Sequence, residues 1–188
     1  MAFMKPFPVR LVQRAKQFVG VKEHPAGTNR GPYNAKLKGG IDDWCKRAAG
    51  ITGYPWCAAF VCAMAEDCGY RIPEPRRASV EYLDRWAEKV GKVVDRPLRG
   101  DLVCYDFDGG WFDHIGIVDR VLAVRWRGNR FIGYVRTVEG NTSAGNNANG
   151  GQVQIRYRWV NSETRFIRLV PRKPPRAVHG KKPARRLG

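Results

Sequence analysis

At 188 residues the chain is long enough for one domain with a substantial core and too short for two of ordinary size. Its 34 Lys and Arg against 17 Asp and Glu give a formal charge of +17, which draws it to polyanions (nucleic acid, anionic lipid or an anionic cell-wall polymer) without choosing among them. No stretch reaches the roughly 18 apolar residues of a membrane span, residues 1–21 hold no apolar run of signal-peptide length, and five cysteines without a Cys-x-x-Cys pair speak against a disulfide framework and a zinc ribbon. The thiols therefore read as reduced, and the expectation is a monomer made in the cytoplasm and kept there until it is released or packaged.

Pro8 to Val19 reads as an amphipathic helix with Leu11, Val12, Ala15, Phe18 and Val19 on one stripe and Gly20 as its stop. Lys22 to Asn34 is dense in turn formers and lacks periodicity, so it is a surface loop that can line a cleft. Cys45 falls in a short helical run, Asp42 to Ala49. The next stretch, Gly53-Tyr54-Pro55-Trp56-Cys57-Ala58-Ala59-Phe60-Val61, runs from a Gly and Pro turn straight into a helix that begins at a cysteine and closes near Cys68 and Gly69. A thiol in a first helical turn meets unpaired N–H groups and the positive end of the helix dipole, which favour the thiolate. Buried cysteine is more often core filler than nucleophile, and Cys45, Cys62, Cys68 and Cys104 are read that way. Only Cys57 opens an element, so it is the candidate nucleophile.

Ser79 caps a further helix that ends at Gly91. From Gly100 the period changes to that of strands: Leu102 to Tyr105, Ile115 to Val121, Leu122 to Trp126, Arg130 to Val138, Val153 to Tyr157 and Phe166 to Val170, with connections short enough to require antiparallel pairing. Helices first and an antiparallel sheet afterwards is the α+β class. Arg125-Trp126-Arg127 and Arg156-Tyr157-Arg158-Trp159 alternate charge with aromatics, and the expectation is a basic, solvated sheet face. The arrangement predicts a domain over residues 1–170 and a tail over 171–188. That tail carries seven of the basic residues (Arg172, Lys173, Arg176, Lys181, Lys182, Arg185, Arg186) and no acid, which leaves +10 on the rest.

A cysteine nucleophile needs a base. Of three histidines, His24 lies in the loop and His179 in the tail, whereas His114 opens the strand Ile115-Gly116-Ile117-Val118 and can hold its ring at a cleft. An imidazole needs an orienting group on its second nitrogen. Glu139 and Asn141, two residues apart in Thr137-Val138-Glu139-Gly140-Asn141-Thr142, would share a sheet face in extended chain, and either can serve.

Gly-Tyr-Pro-Trp-Cys-Ala-Ala-Phe-Val, then Arg99-Gly100-Asp101-Leu102-Val103, then His114-Ile115-Gly116-Ile117-Val118, then Val138-Glu139-Gly140-Asn141-Thr142, in this order, resemble the CHAP family of cysteine, histidine-dependent amidohydrolases/peptidases over residues 8–170. The resemblance implies a papain-like α+β fold with Cys57 as nucleophile, His114 as base and Glu139 with Asn141 as the orienting pair. It also implies cleavage of amide bonds in peptidoglycan, as in phage endolysins, virion-associated lysins and bacterial autolysins. Many members carry a glutamine before the cysteine to donate to the oxyanion, and here Trp56 takes that place. The backbone N–H of Cys57, with a side chain from the Asn29 to Tyr33 loop or Tyr54, then becomes the candidate donor set. Asn29, Arg30, Tyr33, Tyr54, Trp56 and Trp111 are the candidate substrate contacts. Some members bind calcium through closely spaced aspartates; the signal for it here is Asp42-Asp43 alone, and otherwise no cofactor or metal is expected. The expected partners are peptidoglycan and anionic wall polymers. A basic nucleic-acid-binding protein without catalytic activity is the competing class, and it lacks a base-reading motif.

Overall fold

The computed structural model describes residues 4–73, 77–127, 130–144 and 149–171, so the expected basic tail, Pro171 apart, lies outside the described residues. Four helices come first: α1 (Phe7–Lys16), α2 (Ile41–Ala49), α3 (Cys57–Asp67) and α4 (Val80–Lys89). Six strands follow: β1 (Val93–Val94), β2 (Leu102–Tyr105), β3 (His114–Arg127), β4 (Arg130–Thr142), β5 (Gln152–Val160) and β6 (Arg165–Ile167). They form one sheet in the order β1-β6-β2-β3-β4-β5, antiparallel throughout, which is the α+β architecture expected of a papain-like domain.

Helix α3 is apolar on every side from Cys57 to Ala65, and each of those residues is buried, as befits a helix enclosed by its neighbours. Strand β4 passes so close to it that a Cβ on Gly140 would sit 2.8 Å from Phe60 Cβ and from Trp56 Cζ3. The missing side chain sets the helix-to-sheet spacing. Helix α2 carries Asp42 and Asp43 in its first turn, Lys46 and Arg47 in its last, and a left-handed Gly50 (φ 75°) as its cap, all in the sense the helix dipole favours. Ser79 caps α4, its Oγ accepting from the Tyr82 N–H at 3.2 Å.

The two sheet faces bury different sets. Leu102, Cys104, Ile115, Ile117 and Val138 face the helices. Val103, Tyr105, Val118, Val135, Val160 and Phe166 form a second cluster on the opposite face. Register puts His114 beside Tyr105 and Gly116 beside Glu139, so by strand alternation both His114 and Glu139 belong to that second face.

Three sequence expectations are corrected. The runs Ile115 to Val121 and Leu122 to Trp126 are one strand, because the register shifts at Val118/Arg120 and Val121/Ala123 bend β3 without ending it. The short β1, held by β6, was not foreseen. Most consequentially, Arg156-Tyr157-Arg158-Trp159 is not a uniformly wet basic face: Arg158 is only 4% exposed, while Tyr157 and Trp159 are 63% and 53% exposed. Alternation separates the two sets, and a buried carboxylate draws the arginine set inward at residue 158.

Candidate active site

Cys57 stands at the first position of α3, 2% exposed, where the helix has neither a side-chain cap nor an acid in its first turn. The N-terminal N–H groups and dipole are thus left to act on whatever develops negative charge there. The thiol opens into a cavity of about 430 Å³ whose walls are Pro55, the start of α4 at Ser79 and Val80, and the loop from Asp108 to Asp113. That loop is shaped by its own carboxylates: Asp106 Oδ1 accepts from the N–H groups of Gly109 (2.7 Å) and Gly110 (3.1 Å), and Asp113 Oδ2 accepts from that of Phe107 (3.0 Å). Burial, reinforced by a hydrogen bond shared with Asp108, pushes the Asp113 carboxyl up to about 6.

His114 follows at once. Its ring is fully buried, stacked near Tyr105 and Phe107 at centroid distances of 6.2 and 5.6 Å. Nε2 lies 3.0 Å from Glu139 Oε2. Nδ1 is buried without a hydrogen-bond partner of its own, and the resting thiol donates weakly to the Asp113 carbonyl, Sγ to O 3.8 Å. The thiol nevertheless lies close enough to act on the ring. Burial alone would lower the imidazole's proton affinity, but the nearby Cys57 sulfur and the Glu139 carboxylate outweigh it, and the ring is raised to about 9.

Glu139 has no solvent exposure, yet it is held as a carboxylate at about 2: burial pushes it up, and hydrogen bonds from His114 and Arg158 pull it down by more. Thr137 Oγ1 donates to Oε1 at 2.6 Å, Arg158 Nε donates to Oε1 at 3.0 Å, and Arg158 Nη2 donates to Oε2 at 2.6 Å. Room for this carboxylate is left by Gly116, where a Cβ would come within 2.7 Å of Glu139 Cγ.

The structure therefore brings Cys57, His114 and Glu139 together. Asn141 departs from the shared face that alternation implied: its φ of 55° and the register shift after Glu139 turn it, and its Oδ1 accepts from the Gly151 N–H at 3.2 Å. Of the six expected substrate contacts, only Trp111 lines the cavity at Cys57; it is 65% exposed, with the Arg85 guanidinium over its ring at 4.9 Å. Trp56 is fully buried and donates from Nε1 to Glu23 Oε1 at 3.0 Å, because the turn into α3 directs it to the core beside Trp44 and Phe60. The Tyr54 hydroxyl donates to the Cys45 carbonyl at 2.8 Å, away from the cavity. Asn29 is half-buried in the loop, Arg30 donates to Thr52 Oγ1, and Tyr33 is exposed; none of the three lines the cavity.

Asp42 accepts from the Gly31 N–H at 3.3 Å and Asp43 pairs with Arg47 at 3.5 Å, so each carboxylate of the calcium expectation already has a protein partner. Among the described residues, the acids whose carboxylates cluster are Asp106, Asp108 and Asp113. The remaining cysteines behave as core: burial pushes Cys45 up to about 11 and raises Cys68 and Cys104, and Cys62 donates to the Arg77 carbonyl at 3.4 Å. Arg158 was missed in the sequence because its signal, a charge alternating with aromatics, is also that of a solvated strand.

Among the described residues no helix is long and apolar enough to cross a membrane. No curated protein and no solved structure matches the chain. Residues 49–141, from the end of α2 through Cys57, His114 and Glu139 to Asn141, match the family model described as the CHAP domain. With that match spanning the assembled cysteine, histidine and glutamate, the chain carries a CHAP domain over residues 49–141, which indicates peptidoglycan hydrolase activity in general.

Proposed function

We propose that the protein hydrolyses an amide bond of the peptidoglycan stem peptide or cross-bridge through an acyl-enzyme on Cys57. The observation that carries this is a thiol at the start of α3 opening into the cavity, hydrogen-bonded to the carbonyl of the residue before His114, whose Nε2 Glu139 holds at 3.0 Å. His114, already carrying the proton given up by the thiol, holds Cys57 as the thiolate, and the sulfur attacks the amide carbonyl carbon. The backbone N–H of Cys57 and the uncapped start of α3 stabilise the oxyanion. His114 then protonates the leaving amine as the C–N bond breaks, and water, deprotonated by the same ring, hydrolyses the thioester. Glu139 fixes the tautomer and stabilises the imidazolium.

Charge acts at two scales in this reading. The net charge of +17 draws the enzyme to an anionic wall and suits a lysin carried in a virion or freed from the cytoplasm, whereas the charged groups lining the cavity are Glu81, Asp108 and Asp113, all acids. Long-range attraction and local recognition are thus separated. Trp111, at the mouth, offers a flat apolar contact for substrate. The competing nucleic-acid reading draws on net charge alone.

Digestion of purified peptidoglycan tests the reading. Amide hydrolysis exposes one new amine per event and no new reducing sugar end, and mass spectrometry of the fragments identifies the bond. Release of reducing ends alone, or cleavage by Cys57→Ala equal to that of the native chain, would overturn it.

A further inference from the structure

We propose that Arg158 is a positioning residue of this centre, a two-point clamp that keeps the Glu139 carboxylate charged and aimed at His114. The inference rests on the roles given above to Cys57, His114 and Glu139, and it concerns a residue outside the segment 49–141 that matches the family.

Arg158 sits on β5 and Glu139 on β4. The guanidinium meets both carboxylate oxygens, Nε to Oε1 at 3.0 Å and Nη2 to Oε2 at 2.6 Å, and Nη2 also donates to Thr142 Oγ1 at 3.2 Å. Its carbon lies 5.0 Å from the Phe107 ring centroid and 5.6 Å from that of Tyr105, the same two rings that stack against His114. Imidazole and guanidinium thus share aromatic walls with one carboxylate between them. A planar fork that makes two hydrogen bonds fixes the carboxylate plane as well as its place, which a single ammonium cannot do.

The charges explain why the clamp is needed. A carboxylate with no solvent exposure would take up a proton unless cations faced it. In the reactive form, thiolate, imidazolium, carboxylate and guanidinium alternate in sign along one row and sum to zero. The groups facing Glu139 are His114 on β3, Tyr105 on β2, and Arg156 and Arg158 on β5, with the neutral Thr137 and Thr142 on β4 and the Cys57 thiol beyond the ring. Deleting the Arg158 cation makes both Glu139 and His114 hold their protons more tightly, so both titrations move to higher pH.

The test compares the full chain with Arg158→Met, Arg158→Lys, Glu139→Gln and the Arg158→Met/Glu139→Gln double variant. NMR follows the His114 ring titration, while kcat and KM are measured on peptidoglycan. In Arg158→Met the His114 titration should rise by about one pH unit, with kcat down about tenfold or more and KM nearly unchanged. Arg158→Lys keeps the charge, so His114 should titrate as in the native chain while kcat still falls. In the Glu139→Gln background the Met substitution should lower kcat no further. The clamp is overturned by a Met variant that titrates and turns over like the native chain, by a Lys variant with native kcat, or by equal kcat losses with and without Glu139. The ring titration needs no turnover. Failure of native protein to cleave peptidoglycan would therefore sink the proposed function while the clamp is still judged.

Discussion

Gly116→Ala is a one-carbon change that should disable the centre from a distance. Gly116 is not among the glycines with positive φ, so alanine meets no backbone strain there; the whole effect comes from contact. The added Cβ would lie 2.7 Å from Glu139 Cγ, about 0.7 Å inside the 3.4 Å at which ordinary contacts begin. Glu139 cannot retreat freely, because Thr137, Arg158 and His114 hold it at 2.6 to 3.0 Å. Overpacking of this kind costs about 1–3 kcal/mol, and each kcal/mol lowers the melting temperature of a domain this size by roughly 2–4 °C. The loss of activity should be larger in proportion, since a misplacement approaching 1 Å in a catalytic group costs up to about a hundredfold in rate. Thermal unfolding by circular dichroism and the initial rate of amine release from peptidoglycan read the two effects. An alanine variant with native melting temperature and native rate would refute the packing argument.

The remaining predictions draw on other parts of the structure. Activity should fall as pH rises through about 9, where His114 gives up its proton, and a rate rising steadily past that point would contradict the assignment. For stability the signs are opposite for the two partners. The raised His114 contributes fully below its unfolded value and loses that contribution as pH climbs through about 9. The lowered Glu139 contributes fully above its unfolded value and loses it as pH falls through about 2. Both contributions are complete between the ordinary carboxylate and imidazole values of 4.5 and 6.5, where denaturant midpoints should peak. Trp56→Phe removes the donor to the buried Glu23 and should destabilise by about 1–3 kcal/mol in urea unfolding; an unchanged midpoint would show the contact to be idle. Trp111→Ala should raise KM with little change in kcat, and a pure kcat loss would exclude a binding role. Deleting residues 171–188 should weaken pelleting with cell walls, most at low salt; equal pelleting would remove the tail from wall binding.

How much of this was legible in the sequence differs from residue to residue. The start of α3 at Cys57 was plain, because a Gly-Tyr-Pro turn followed by an apolar period of 3.6 admits few other structures. His114 was legible from its place at a strand opening. The choice between Glu139 and Asn141 was not, since the same-face rule assumes unbroken extended chain and the left-handed Asn141 breaks it. Arg158 was hidden for a different reason. Alternation says that Arg158 and Tyr157 face opposite ways but not which way is inward, and only the carboxylate arriving from a neighbouring strand makes a buried arginine affordable. Trp56, expected among the substrate contacts from its place beside the cysteine, is instead fully buried with its Nε1–H committed to Glu23.

Selective alkylation tests the claim at the centre most directly. Five thiols are present; Cys45, Cys68 and Cys104 are raised by burial, and Cys62 is sealed in the core. Iodoacetamide at pH 6 followed by peptide mapping should therefore label Cys57 alone, in step with loss of peptidoglycan cleavage, and His114→Ala should slow the labelling sharply. Labelling spread over several cysteines, or full activity after Cys57 has been alkylated, would contradict the account.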